Sequence, residues 1–326
     1  MKLTQEQIDF LDGCTMFRID RRKFWFPHRT SNYHDGVWTL NEETGLVDIE
    51  GNFDVTEWIG YKRGPHGTSY LKEHVKFKSR DFKGIKFGVV TGYFYCAGME
   101  LESLEGAPIK VLEEFDCSGN KLTSLEGAPK EVGWDFNCSA NKIKDLKGAP
   151  SVVGGSFHCA RTKLESLEGA PKEIGGVFNC RRNKLTSLKG APRKVGGFEC
   201  QENMLTDLVG APDTLSDGEK YSEGGFDCSH NQLTTLRGAP KKVRSFYCVG
   251  NPLRDIEGVP HIKDYSKGNG FPRKFSSIYE IMDKHKVEFK EAIDIFEKNT
   301  LADIIKRREA IDRHEREIME IIKSMK

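Results

Sequence analysis

Nine cysteines punctuate the chain, at 14, 96, 117, 138, 159, 180, 200, 228 and 248, and from Cys96 onward the step is 21 residues four times, then 20, 28 and 20. A near-constant period of this length marks a repeat architecture. It constrains the fold more than any single motif, because one short unit cannot bury its own apolar edge and must stack on its neighbours. Aligned on cysteine, the unit reads Phe-x-Cys-x-x-Asn-x-Leu-x-x-Leu-x-Gly-Ala-Pro-x-x-Val-Gly. Phe115, Cys117, Asn120, Leu122, Leu125, Gly127, Ala128, Pro129, Val132 and Gly133 show it in full. The phenylalanine recurs as Phe94, Phe136, Phe157, Phe178, Phe198, Phe226 and Phe246. The asparagine recurs as Asn141, Asn183, Asn203, Asn231 and Asn251, with Met99 and Thr162 as departures. Eight copies are readable, the last closed by Gly258-Val259-Pro260.

Each part of the unit has a physical reading. Phe-x-Cys alternates with period two, so both side chains point to one face of a short strand. Leu122 and Leu125 continue that inward face round a turn. An asparagine at the bend has an amide able to bond backbone groups of neighbouring coils. Gly-Ala-Pro sets an extended return, because proline fixes φ and has no N–H. The expected fold is a β-rich solenoid, α+β overall once its ends are included, with about eight clear coils and one short strand in each.

The unit resembles the leucine-rich repeat, with Phe and Cys in its two strand positions. Its short period and return-leg proline resemble the bacterial short repeats of secreted effectors. Residues 121–133, KLTSLEGAPKEVG, are closer still to a group of leucine-rich repeat proteins of tailed bacteriophages and some bacteria. GLVDIEGNF at 45–53 and DFKGIKFGVVTGYF at 81–94 are similar to the entry of those proteins, so the resemblance covers roughly 37–260. It implies a leucine-rich repeat fold and a phage-encoded protein.

The ends depart from the repeat. Residues 1–36 form an N-terminal extension opening with a short helix capped near Thr4, with Ile8, Phe10 and Leu11 inward. FRIDRRKFWFPHRTSNYH at 17–34 interleaves basic and aromatic residues, the composition of a single-strand nucleic-acid platform or of a capping strand with a charged edge. Residues 37–88 read as the N-terminal cap and 89–260 as the solenoid. The 41 residues from Phe53 to Phe94 leave two readings, a degenerate extra coil at Val75-Lys76-Phe77 or an inserted loop at 60–70. A second insertion separates Pro212 from Phe226, placing a polar loop at 213–225. HIKDYSKGNGFPRK at 261–274 reads as a linker, and 275–326 as a helical pair. The first helix carries an apolar stripe of Ile278, Ile281, Met282, Phe289, Ile293 and Phe296, and the second starts at Asn299 or Thr300 with a capping box to Asp303. The pair either covers the last coil or oligomerises.

Chemistry is harder to find. The cysteines read as small buried hydrophobes: in-register neighbours suit a disulfide poorly, and there is no Cys-x-x-Cys pair for a metal. His158 adjoins Cys159, but adjacent strand residues point to opposite faces. An unbridged thiol column fits a reducing compartment. No phosphate loop, zinc-protease or serine-hydrolase motif occurs, and no cysteine follows Cys248 to serve the ligase domain of the similar effectors. The expectation is no catalytic residue, no metal and no cofactor. Fifty Lys and Arg against 49 Asp and Glu leave a net charge of +1, which argues against a dedicated nucleic-acid binder. No apolar run approaches a membrane span and no secretory leader opens the chain, so a cytoplasmic protein without membrane association is expected.

What is left is a surface. The residues between Phe and Cys point outward: Tyr95, Asp116, Asn137, His158, Asn179, Glu199, Asp227 and Tyr247, widened by Arg181 and Arg182. Aromatic and arginine residues on a rigid sheet suit protein recognition. The expected function is non-enzymatic protein binding, in the phage setting by occluding a host or phage protein. The alternatives are an assembly component that oligomerises through the C-terminal helices, and nucleic-acid binding through 17–34.

Overall fold

A computed structural model describes residues 2–15, 36–54, 58–63, 69–75, 81–216 and 224–262, with 280, 282, 284, 291–300, 302, 305, 306 and 313 near the C-terminus. The chain winds as a parallel β-solenoid. Its phenylalanine sheet has nine strands: Phe53–Asp54, Phe94–Tyr95, Phe115–Asp116, Phe136–Asn137, Phe157–His158, Val177–Asn179, Gly197–Glu199, Gly225–Asp227 and Ser245–Tyr247. Phe pairs with Phe in every coil, so the register never slips.

Each coil carries two strands, which corrects the expectation of one. The second lies after the proline, as in Lys110–Val111, Glu131–Val132 and Val152–Val153. Bridges at Glu173 and Ile174 carry this valine sheet on to Lys194–Val195, Thr214–Leu215, Lys242–Val243 and His261–Ile262. The solenoid therefore runs to 262, and the expected linker loses its first two residues to the sheet. The physical reason is burial: Val111, Val132, Val153, Ile174, Val195 and Val243 all point into the core, which gives the return leg a strand's inward side chain. Gly127 shapes the turn before it, with φ +87 and Ala128 N–H bonded to Leu125 O at 2.9 Å, a type II arrangement that favours glycine.

The core is a set of columns. Phe115, Cys117, Leu122, Leu125 and Val132 are fully buried, as are their equivalents in most coils. Successive phenylalanine rings from Phe53 to Phe246 lie 5.0–5.7 Å apart. The asparagine column behaves as the sequence suggests. Asn141 Nδ2 donates to Cys117 O at 3.0 Å and to Cys138 O at 2.9 Å, while its Oδ1 accepts Leu122 N–H at 3.0 Å. The amide thus ties two coils and satisfies three buried backbone groups.

Thr162 breaks this column. Its hydroxyl donates to Cys159 O at 3.0 Å and lies 3.0 Å from Asn183 Oδ1, but one O–H has no second proton for Cys138 O. Thr162→Asn is expected to complete the column and stabilise the chain by about 1 kcal/mol. A urea midpoint moved upward checks it; an unchanged or lower midpoint refutes it.

The N-terminal end is covered by the helix Gln5–Thr15. Its capping box is reciprocal: Gln7 N–H donates to Thr4 Oγ1 at 3.3 Å and Thr4 N–H to Gln7 Oε1 at 2.9 Å. Phe10 and Leu11 are buried as expected, with Cys14, while Ile8 is half-buried; Phe10 packs edge-on against Phe53. The strand Val37–Leu40 pairs antiparallel with Val47–Glu50, and Trp38 Nε1–H donates to Asp12 Oδ1 at 2.7 Å.

Phe53 pairs directly with Phe94, so no extra coil separates them. Residues Trp58–Arg63 and Ser69–Val75 instead form an antiparallel hairpin, an insertion within one coil. At the other end every described residue from 280 onward is helical, namely 280, 282, 284, 291–300, 302, 305, 306 and 313, and the helix passes through 299–300 where a break between two helices was expected. Thr300 lies inside it, its hydroxyl donating to Phe296 O at 2.8 Å, so the expected cap at 299–300 does not form. Ala292 is fully buried, and Met282, Ile293 and Phe296 pack against the core. The expected roles of Ile278, Ile281 and Phe289, of the segment 17–34, and of most of the 213–225 loop lie outside the described residues.

Candidate functional site

The outward row predicted from sequence is brought together as one ladder. Tyr95 pairs with Asp116, and the series continues through Asn137, His158, Asn179, Glu199, Asp227 and Tyr247, one residue per strand. Asp54 extends it by one coil, a member sequence reasoning missed because its coil lacks the Phe-x-Cys pair. Seven of the eight predicted members are half-buried, and Asn179 is buried.

Half of the row has a local task. Asp116, Asn137, Asn179 and Asp227 each accept the N–H two residues on, from Ser118 at 2.8 Å, Ser139 at 3.1 Å, Arg181 at 3.2 Å and Ser229 at 2.9 Å. This is the Asx turn, which ends a strand and starts a corner. Asn137 Nδ2 also donates to Asp116 Oδ2 at 3.2 Å. At the N-terminal end, Tyr95 donates its hydroxyl to Glu114 Oε2 at 2.6 Å, and its ring stacks on Tyr93 at 4.3 Å. Tyr93 and Glu114 precede their coil's Phe and face outward with the row, a second column that sequence reasoning left out.

Arg181 and Arg182 sit at the corner beyond the strand, both exposed. Arg182 has φ +56 and donates through Nε to Glu202 Oε1 at 2.7 Å. The equivalent corner residues share this left-handed conformation, as Gly98, Gly119, Ala140, Arg161, Glu202, His230 and Gly250. In the middle coils a long polar side chain therefore takes a backbone position that favours glycine. Burial pushes the Glu199 carboxyl above the usual range; Arg181 opposes that shift, Asp227 adds to it and His158 opposes it.

The thiols face the other way. All nine cysteines are free and buried. Burial pushes every thiol from Cys96 to Cys248 above its ordinary range, to about 12 at Cys248. Cys159 Sγ–H donates to Asn179 O at 3.3 Å in the next coil. His158 projects from the opposite face, so it makes no nucleophile pair with Cys159. Among the described residues no group of three His, Cys, Asp or Glu is placed to hold a metal, and no helix is long and apolar enough to cross a membrane.

Comparison with protein-family models, with curated proteins and with solved structures finds no match.

Proposed function

We propose that the protein is a non-catalytic protein-binding solenoid that recognises its partner with the outer face of the phenylalanine sheet. The observation that carries this reading is the in-register row from Tyr95 to Tyr247. It presents aromatic, acidic, amide and imidazole groups on a backbone that orders little further on binding. The likeness of KLTSLEGAPKEVG to phage repeat proteins supports a phage-encoded binder acting in the cytoplasm, one that occludes a host or phage protein. The assembly alternative drew on the C-terminal helices, whose Ala292, Ile293 and Phe296 pack on the chain's own core. The nucleic-acid alternative drew on 17–34.

The test is a tagged pull-down from lysate of the producing cells, with His158→Glu/Arg181→Glu beside wild type. Asn179 is left intact because its side chain holds the corner. A protein retained by wild type and reduced at least tenfold by the variant is the expected result. No retained protein, or equal retention by both, overturns the assignment to this face.

A further inference from the structure

The valine sheet carries a surface that the proposed partner site does not use. Among the described residues, ten large apolar side chains are exposed, and five of them fall on four consecutive coils of this sheet. They are Val89 (38% exposed), Ile109 (51%), Leu112 (43%), Trp134 (58%) and Val152 (54%). The outward row at its centre reads Val89, Lys110, Glu131, Val152, each paired in register with the next. Lys110 Nζ and Glu131 Oε2 are 2.6 Å apart.

That row reads the same in polarity from either end, with opposite charges exchanged. We propose that this patch binds the same patch of a second copy of the chain, sheet on sheet with solenoid axes antiparallel. A two-fold axis along the strands, midway between Lys110 and Glu131, sets Val89 over Val152 of the second copy and Lys110 over Glu131 of the second copy. Lys110 of each copy then lies between its own Glu131 and Glu131 of the second copy. The same axis sets Leu112 over Gly133 of the second copy. Gly133 and Gly154 have no room for a side chain, since a Cβ on either would strike the backbone of the preceding coil, at Leu112 O and Gly133 O respectively. The projecting leucine therefore meets bare backbone. Face-to-face packing with roughly aligned strands is the usual geometry of two sheets.

Charge selects the antiparallel sense. A parallel pairing sets Lys110 on Lys110 and Glu131 on Glu131. It also superposes the stretch that follows on this sheet, where exposed Lys172, Arg193, Lys194, Lys241, Lys242 and Arg244 outnumber Glu173 and Asp213. The antiparallel sense sends most of them to opposite ends. Four strands about 4.8 Å apart make a patch smaller than the roughly 800 Å² per partner of a standard interface, the size class of a weak, transient contact.

Sedimentation velocity of the full chain from about 1 to about 200 µM tests this, with circular dichroism confirming that each variant folds. The expected result is a monomer at the low end and a dimer at the high end, with Leu112→Glu monomeric throughout. Lys110→Glu alone and Glu131→Lys alone each weaken dimerisation at least tenfold. An equimolar mixture of the two recovers it, because a Val-Glu-Glu-Val row then faces a Val-Lys-Lys-Val row. A wild type monomeric throughout, a dimer indifferent to Leu112→Glu, or a mixture no better than either variant alone overturns the proposal.

Discussion

Raising the pH past about 9 is expected to unfold the chain over little more than one pH unit. Eight thiols, from Cys96 to Cys248, are held above their ordinary range first of all by burial. The folded state keeps these protons where the unfolded chain, with thiol pKa values near 8.5, releases them. Their stabilisation is thus fully present below about pH 8.5 and is lost as pH rises toward the folded values. Each thiol contributes about 1.4 kcal/mol per pH unit once its unfolded counterpart is ionised, so eight give a limiting slope of about 11 kcal/mol per unit. A domain's whole stability is about 5–15 kcal/mol. Urea titrations followed by circular dichroism between about pH 8 and 10.5 measure the slope. Cys117→Ala/Cys138→Ala/Cys159→Ala should reduce it by about three-eighths. A midpoint that does not fall with pH, or that falls equally in the variant, contradicts the thiol account.

The second large effect lies in the phenylalanine column. Phe157 is fully buried, 5.0 Å from the Phe136 ring and 5.6 Å from the Phe178 ring, so truncation opens a cavity between two coil interfaces. Phe157→Ala is expected to cost about 3–5 kcal/mol, and Phe157→Leu clearly less. In a stack whose coils contact only their neighbours, that loss separates the halves on either side. All four tryptophans, at 25, 38, 58 and 134, lie before Phe157. Tryptophan fluorescence therefore follows the N-terminal part, whereas far-ultraviolet circular dichroism follows the whole chain. The two should coincide in wild type and part in Phe157→Ala. Coincident transitions in the variant, or a loss below about 1 kcal/mol, would falsify this description of the core.

Those columns are also what the sequence made legible. Phe and Cys two apart, and an asparagine three beyond, leave few alternatives for where each side chain goes, and the inward face and amide ladder follow. The second strand escaped because Lys110–Val111 and its equivalents are two residues long. Alternation needs a longer run to be heard, and only the recurrent Val, Ile or Leu three residues after the proline marked it. The segment after Phe53 stayed ambiguous because Val75-Lys76-Phe77 imitates a repeat strand, and only the pairing of Phe53 with Phe94 excludes a coil there. At the C-terminus, Thr300-x-x-Asp303 has a cap's spelling, but a threonine hydroxyl satisfies a carbonyl four residues back equally well. On the candidate site the row itself was legible and its division of labour was not. Variation at Asp116, Asn137, Asn179 and Asp227 reads as recognition, yet all four share a short side-chain oxygen that closes a turn.

The hairpin after Asp54 separates chain length from coil register. The contact between Phe53 and Phe94 closes over 41 residues, whereas Phe94 to Phe115 closes over 21, and both pairs lie in register. Doubling a closed loop costs only about 0.6 kcal/mol in chain entropy. A corner of this solenoid is therefore a docking port in the engineering sense. Passenger sequence can be spliced in there while the adjoining coils still find each other, and new binding elements can be acquired without renegotiating the core.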